Sequence, residues 1–517
     1  MRVTNSMISN SSRSHISNSK TMLNKYEQQY TTQKKIQRPS DDPTVAVRSL
    51  KLRTTYAQLT QYAEKNVQDA MDWMDTTESA MSNISSLLTN MKSYLNQGAN
   101  DPLKPDDRES VLSTLKQYVN SIFADEANTD YSGRYVFTGY RTDTSLLFQS
   151  DVTTLSYQIK EKLKYTDLSN VTVVKGGANY DPSVTEGQEY VNNSATTNSV
   201  YRMNLAYDNL SNEQFPEESD KSIGSPIKIQ ISYTEREDLD PGEKPETIVE
   251  ELEIDEDKIK HSTDPTAYDI EDDDIVFLYD TGEILMGKNV YADIQQKQAD
   301  ITVDYCKNSF EKNEIRPEMY FECLCYDSVE NEVTEYVEPS KQNINYEVNY
   351  SQTITVNTQA RDAISTNIYR AIDYIEKTIE AVTNVEDKIS EVEKMIGNTS
   401  DEDTLETLNS LKKVLTDEKE LRTAVMTEAF GKGLTMVDNA QQMVSVAVSE
   451  LGAKYNRSQL TYDKLLDEQT DTEEKLSGNE DVNFEDVYIN LTQANNLYQA
   501  SLSATAKNLG NTLLNYI

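Results

Sequence analysis

The sequence predicts an α+β fold in which a long antiparallel helical bundle, built from both chain ends, encloses a β-rich central insertion. Three observations predict it. Apolar residues recur at steps of three and four from Thr44 to Leu95, and again after Thr358. Between Asp151 and Thr358 the pattern changes to short apolar and β-branched runs separated by Gly, Pro, Asn and Asp. At 517 residues the chain also exceeds the roughly 250–300 residues at which one hydrophobic core stops growing, so more than one compact unit is expected.

Residues 1–42 come first. Met7, Ile8, Ile16, Leu23, Tyr26 and Tyr30 recur at approximate heptad spacing among Ser, Asn and Thr, which are weak helix formers. That predicts a segment disordered alone and helical only when another helix covers its stripe. Ser40, Asp41 and Asp42 then offer side-chain acceptors to the first amides of a helix beginning near Pro43 or Thr44.

Residues 43–150 form the first half of the helical domain. The seam runs through Leu52, Tyr56, Leu59, Ala63, Ala70, Trp73, Ala80, Ile84, Leu87, Met91 and Tyr94. At roughly 1.5 Å per residue it would extend about 75 Å. The stretch Asp101 to Pro105 breaks it, and a shorter helix with Val111, Leu115, Tyr118 and Ile122 follows. Tyr131 to Gly139 alternates aromatic and β-branched residues with glycines, the pattern of a hairpin.

Residues 151–358 form the β-rich surface domain, with strands at IKIQISY, IVFLY, ITVDY, MYFECLCY and INYEVNY. Within it, residues 235–274 hold 18 acidic and 4 basic side chains and read as a solvated, mobile insertion. Residues 359–478 return to helix, with a seam from Ile364 and Ile368 through Ile375 and Val382 to Ile396. Gly397 to Ser400 reads as a turn, and Phe430 to Gly433 as a second break before a run from Leu434 to about Asp471, so that the two breaks bound a helical hairpin.

Residues 479–517 end the chain as an assembly helix. Val487, Leu491, Ala494, Tyr498, Leu502, Thr505 and Leu509 share one stripe, which continues to Leu513, Leu514 and Ile517. One reading packs this helix back on the chain's own helices. The other gives the stripe to a neighbouring subunit, because burying each such side chain is worth about 1.5–3 kcal/mol and an uncovered stripe is adhesive.

Several of these residues also carry a resemblance. The opening MRVTNSM, the hexapeptide Arg38 to Pro43, Ser132 to Gly139, Leu451 to Arg457, Asn479 to Val482 and the closing Thr512 to Ile517 resemble the flagellin-like family, and within it the hook-associated protein 3 branch. The likeness covers about the first 150 and last 160 residues, and the middle matches nothing diagnostic. It implies a flagellin-like structural subunit at the hook–filament junction, a ring of copies stacked between hook-associated protein 1 and flagellin. It also implies type III flagellar export to the cell exterior, with an uncleaved N-terminus and a cytoplasmic chaperone. A flagellin-type filament subunit is the alternative. Against it, Arg38-Pro39 precedes the aspartates and Pro43-Thr44 follows them, where flagellin has a run resembling Ser-Gly-Leu-Arg-Ile and then alanines.

Stripe and resemblance together nominate an assembly interface at Leu23, Tyr26, Tyr30, Arg38, Pro39, Asp41, Asp42, Pro43, Arg457, Leu491, Tyr498, Leu502, Leu509, Leu513 and Ile517. For Asp41, Asp42 and Pro43 simple helix capping is the competing reading. Arg457 reads equally as a surface residue and as an ion-pair donor to a neighbour.

Composition argues against other classes. A net charge of −39 repels a phosphate backbone, so nucleic acid is not an expected partner. No stretch has the length or apolarity of a membrane span, and the start holds no apolar core of a cleaved signal. His15 and His261 offer no triad, and Glu271 to Asp274 lacks a calcium-loop pattern. Cys306, Cys323 and Cys325 fit neither a disulfide framework nor a paired-CxxC zinc site. No enzyme, cofactor or metal is expected, though a hydrolase in the middle domain is the rival from another class.

Overall fold

The structure, a computed structural model, describes residues 5–100, 105–178, 180, 195–216, 222–234, 247–264, 266–337 and 342–510. Helices α1 (Asn5–Thr32), α2 (Pro43–Gln61), α3 (Gln68–Asn100) and α4 (Pro105–Asn120) come first. A π-helical turn, Tyr62–Val67, joins α2 to α3, and another, Ser121–Glu126, follows α4. The strands are β1 (Asp130–Tyr131), β2 (Arg134–Tyr135), β3 (Leu155–Lys164), β4 (Ser169–Lys175), β5 (Thr196–Asn204), β6 (Ile227–Thr234), β7 (Thr247–Leu252), β8 (Ile259–Lys260), β9 (Ile275–Leu278) and β10 (Glu283–Met286). After α5 (Lys288–Lys297) come β11 (Asp300–Lys307), α6 (Pro317–Tyr320), β12 (Glu322–Asp327), β13 (Glu332–Tyr336), β14 (Asn345–Asn349) and β15 (Gln352–Thr355). Helices α7 (Ala360–Ala363), α8 (Asn367–Asn398), α9 (Glu402–Glu480) and α10 (Phe484–Gly510) close the described chain.

Two compact units gather these elements from distant stretches. One holds residues 72–345 and 355–455, the other 1–71, 346–354 and 456–517. This differs from an expected boundary at 151 and 358, and packing explains why. In the larger unit the strands order as β13-β12-β3-β11-β6-β7 and β4-β5-β10-β9-β8, antiparallel except for β8 beside β9. The second sheet lies on the helices: the Arg202 guanidinium sits 3.9 Å over the Tyr374 ring of α8. Ala178 and Tyr180, just after β4, share a cluster with Val385 and Val392 of α8 and with Leu408, Leu411 and Leu415 of α9. Sheet and helices therefore share cores rather than standing as separate domains.

The expected seam from Thr44 is present with a shift. Ala63, Val67, Ala70, Trp73, Ala80, Ile84 and Met91 are buried, but Leu88 and Leu95 take the places expected of Leu87 and Tyr94, which are half-buried. Two steps of four in succession, Ala80 to Ile84 to Leu88, rotate the seam by one residue. Ser132 and Gly133 both have positive φ and link β1 to β2 in a two-residue turn of the I′ kind. That hairpin brings Arg134 to 4.9 Å above the buried Trp73 ring.

Two expectations are corrected. The acidic stretch is not wholly a solvated insertion: Thr247–Leu252 pairs with β6 and Ile259–Lys260 with β9, and Ala267 is buried. Tyr233 and Lys297 both bind Glu250, which anchors that edge strand despite its charge. Residues 235–246 and 265 lie outside the described residues. Nor do Phe430 to Gly433 break the helix, since α9 continues through them for 79 residues, ending at Glu480 rather than near Asp471. Only the turn at Gly397 to Ser400 makes a helical hairpin here.

The glycines serve close approach instead. A Cβ on Gly433 would lie 2.9 Å from Ile375 Cδ1, and one on Gly98 would lie 2.4 Å from the buried Phe430 ring, whereas one on Gly431 would meet nothing within 4 Å. We expect Gly98→Ala to destabilise the larger unit by about 1–3 kcal/mol through overpacking. Gly431→Ala should stabilise it by about 0.5–1 kcal/mol through helix propensity. Thermal unfolding of the two variants followed by circular dichroism checks the opposed signs.

Candidate assembly interface

In the smaller unit a carboxylate organises the meeting of two chain segments more than 400 residues apart. Glu480, at the end of α9, is almost fully buried and receives Arg53 through two bonds of 2.7 Å, Nε to Oε1 and Nη2 to Oε2. Lys34 approaches the same carboxylate at 3.4 Å and also binds Asp481. The backbone joins as well: the Lys35 amide donates to the Glu480 carbonyl at 2.7 Å and the Val482 amide to Gln33 at 3.0 Å. Asn479 Nδ2 donates to the Val45 carbonyl at 3.1 Å and to Ser49 Oγ at 2.7 Å. The two loops that turn the chain, 33–42 and 481–483, are thus locked side by side.

Electrostatics follow the bonds. The Arg53 guanidinium holds the Glu480 carboxyl below its usual range, Lys34 does the same for Asp481, and Asp481 raises the Lys34 ammonium. Asp41 accepts from the amides of Gln37 and Arg38 at 3.0 and 2.9 Å, which tightens the hexapeptide turn and lowers its own pKa. Asp42 caps α2 by accepting from Thr44 and Val45 at 3.0 and 3.2 Å, with Pro43 as the first helical residue. Capping therefore accounts for Asp42 and Pro43, and the turn for Asp41, without a partner.

Beyond the lock, α1 and α10 lie along each other in antiparallel sense, with the Tyr30 ring 5.1 Å from Phe484. Asn483 Oδ1 accepts from the Glu485 amide at 3.0 Å and starts α10. The shared seam is thin. Ile16, Leu23 and Tyr26 face Val487, Leu491, Ala494 and Tyr498, yet only Val487 and Ala494 are buried. On the open faces Met7, Ile8, Met22, Tyr30, Phe484, Tyr488, Ile489, Leu497 and Leu502 keep 37–61% of their surface in solvent. Isolated exposed apolar residues are ordinary, whereas nine spread along one helix pair leave it apolar surface of the kind that partners cover.

The nominated residues therefore separate. Leu23, Tyr26, Leu491 and Tyr498 line the seam between α1 and α10, and Tyr30 packs on Phe484 at its edge; Leu502 belongs to the open face, off its expected stripe. Ser501, half-buried one residue earlier, keeps the seam in step with Tyr498 and Thr505. Arg38 and Pro39 line a groove of about 210 Å³ beside Ile36, Ala46 and Leu50. Arg457 is exposed on α9 and makes no ion pair among the described residues. The side chain of Leu509, with Leu513 and Ile517, lies outside the described residues. Sequence reasoning did not nominate Lys34, Arg53, Glu480 and Asp481; a pairing across 427 positions leaves no periodic signal.

Elsewhere the titratable groups are buried or hydrogen-bonded. Burial pushes the Cys306 thiol up to about 12 and the Cys325 thiol up to about 11. Burial also pushes the Glu161 carboxyl up to about 7, and Glu161 accepts from the Ala206 amide at 3.0 Å and the Tyr305 hydroxyl at 2.9 Å. His261 sits 2.8 Å from Thr263 Oγ1 and 3.7 Å from Asp280. Among the described residues these groups join no nucleophile to a base. No helix among them is long and apolar enough to cross a membrane.

Comparison with known proteins adds a second line. Residues 3–142 match the bacterial flagellin N-terminal helical region, and residues 434–517 match the bacterial flagellin C-terminal helical region. The chain is 30% identical over 145 residues to proteins named flagellar hook-associated protein 3 in Escherichia coli (strain K12) and Salmonella typhimurium. That stretch is 28% of this chain, and the chain spans 45% of the length of those curated relatives. Among solved structures it is similar to FlgL of Xanthomonas campestris, with 12% identity and a TM-score of 0.31 over 82% of this chain and 98% of the other. Flagellar hook associated protein-3 of Legionella pneumophila gives 12% identity and a TM-score of 0.30 over 83% and 98%.

The lock sets a pH window. Glu480 and Asp481, lowered from 4.5 and 3.8, contribute stability above those values and lose it as pH falls through their folded-state pKa. Lys34, raised from 10.5, contributes below that value and loses its share as pH rises through its folded-state pKa. We expect Glu480→Gln to cost about 1.5–3 kcal/mol near neutrality and to flatten the acid limb. Urea unfolding of variant and parent between pH 3 and 8 reads both effects.

Proposed function

We propose that this chain, whose two ends match the helical regions of bacterial flagellin, is a structural subunit of the flagellum, of the hook-associated kind that joins hook to filament. The observation that carries this reading is the thin seam between α1 and α10 beside nine exposed apolar side chains. Helices of that composition gain little from pairing with each other and more from neighbours that cover both open faces. Copies of the chain supply such neighbours when they stack in a ring, and two unlike layers meet the ring above and below. Hook-associated protein 1 on the hook side and flagellin on the filament side are the partners this reading assigns. Export through the flagellar apparatus, held competent by a cytoplasmic chaperone, suits terminal segments whose apolar faces are completed only on assembly.

Electron microscopy of cells lacking this chain, complemented with the full chain or with one lacking residues 507–517, tests the reading. The account expects hooks without attached filaments in the deletion strain, flagellin released into the medium, and a truncated chain that is exported but fails to hold a filament. Normal attached filaments in the deletion strain would overturn it. Hooks with no flagellin-like protein either attached or released would make the chain the filament subunit instead.

A further inference from the structure

Strand β3 outruns one of its neighbours. Its ladder with β11 continues to the Lys164–Asp300 pair, whereas its ladder with β12 stops at Lys160–Glu322, since α6 occupies the residues just before β12. Beside the stretch of β3 left over, 161–164, lies a cavity of about 290 Å³, bounded across from the strand by the link from α7 to α8 and by Met443 of α9. Leu163, Phe321, Ile364 and Met443 give it apolar walls. Lys162, Asp167 and Asn367 on its lining are exposed, so it opens to solvent.

Glu161 lines this cavity and is only 5% exposed. The Ala206 amide and the Tyr305 hydroxyl both donate to its Oε2, and Oε1 accepts no bond among the described residues. Arg370 of α8 attracts the carboxylate, but that guanidinium is itself held by Asp208, Asp373 and the Thr281 carbonyl. The neighbouring phenols of Tyr207 and Tyr305 are kept neutral by burial. Side chains alternate along a strand, so Lys160 and Lys162 point to the other face of the sheet, where Lys160 stands in register between Asp304 and Glu322. Arg361, also on the lining, has its Nε 3.6 Å from Asp362, and Asp167 adds negative charge to the Glu161 side.

We propose that the cavity beside β3 binds a primary alkylammonium group, with the charged head on Glu161 Oε1 and the chain along Leu163, Ile364 and Met443. A buried carboxylate with one open oxygen is completed best by a charged donor, because the bond is charge-assisted and the ion pair offsets desolvation. A guanidinium would use both oxygens at once, and Oε2 already accepts two bonds, so a single-point ammonium fits better. Burial pushes the Glu161 carboxyl up to about 7, so near neutrality the ligand competes with a proton for the same group. The site is independent of the terminal helices and of the assembly proposed above.

Titration calorimetry of the full chain with butylammonium chloride between pH 5.5 and 8.5 tests this. Binding should tighten about tenfold per pH unit up to about pH 7 and level off above it. Near neutrality it should release about half a proton per amine bound, read from two buffers of different ionisation heat. Butanol, the uncharged counterpart, should bind at least about tenfold more weakly and without pH dependence. Glu161→Gln keeps an acceptor for Ala206 and Tyr305, and should weaken butylammonium binding about tenfold or more and flatten its pH profile. Met443→Trp, which fills the cavity, should block both probes with Glu161 untouched. A blocked Gly-Lys-Gly peptide separates the sources of the group: binding of butylammonium alone assigns a free amine, and binding of the peptide as well assigns a lysine side chain. No binding of either amine to the parent chain overturns the proposal, as does butylammonium binding that butanol matches or that Glu161→Gln leaves unchanged.

Discussion

Glu480 is the constraint on which the terminal architecture depends. An almost fully buried carboxylate is costly to desolvate, and Arg53 and Lys34 offset that cost only if the loops before α2 and after α9 lie together. Once they do, α1 and α10 leave that point in antiparallel company, because the residues flanking each loop begin or end a helix. Asp42 and Asn483 then start α2 and α10 at defined residues. The pairing of the chain ends is thus decided by polar groups, and the apolar seam comes second.

That order of importance explains the thinness of the seam. A helix pair held at its base needs little hydrophobic area between its arms, so most of its apolar side chains stay available for other contacts. Leu23, Tyr26, Leu491 and Tyr498, with Tyr30 packed on Phe484, keep α1 and α10 in register, while Ile489, Leu497 and Leu502 stay open to solvent. In the larger unit the reverse holds: Trp73, Phe123, Phe137, Phe277 and Phe430 are wholly enclosed. The chain therefore combines a self-sufficient core with ends that leave apolar surface open, the combination expected of a subunit that completes itself by assembly.

Much of this was legible in the sequence, for physical reasons that also mark the limit. Heptad spacing located the long helices, Asp42-Pro43 located the start of α2, and alternating runs located β6, β9, β11 and β12. Local signals sufficed because each of these features is decided within a few residues. The misreadings share one cause. Gly431 and Gly433 look like a break until Ile375 and the neighbouring Phe430 show that helices pack closely there. The acidic charge around Glu250 looks like solvent until Tyr233 and Lys297 bind it. Leu502 looks like seam until Ser501 takes its place. In each case the deciding contact is tertiary, and the Glu480 lock, spanning most of the chain, is the extreme example.

Backbone hydrogen exchange on the purified monomer, compared with the assembled state, addresses the claim that the terminal helices are completed by neighbours. The account predicts fast exchange across residues 5–32 and 484–510 in the monomer, slow exchange across the middle of α9, and protection of both ends on assembly. Full protection of both ends in the monomer, unchanged by assembly, would contradict it and leave a chain whose helices satisfy their own stripes.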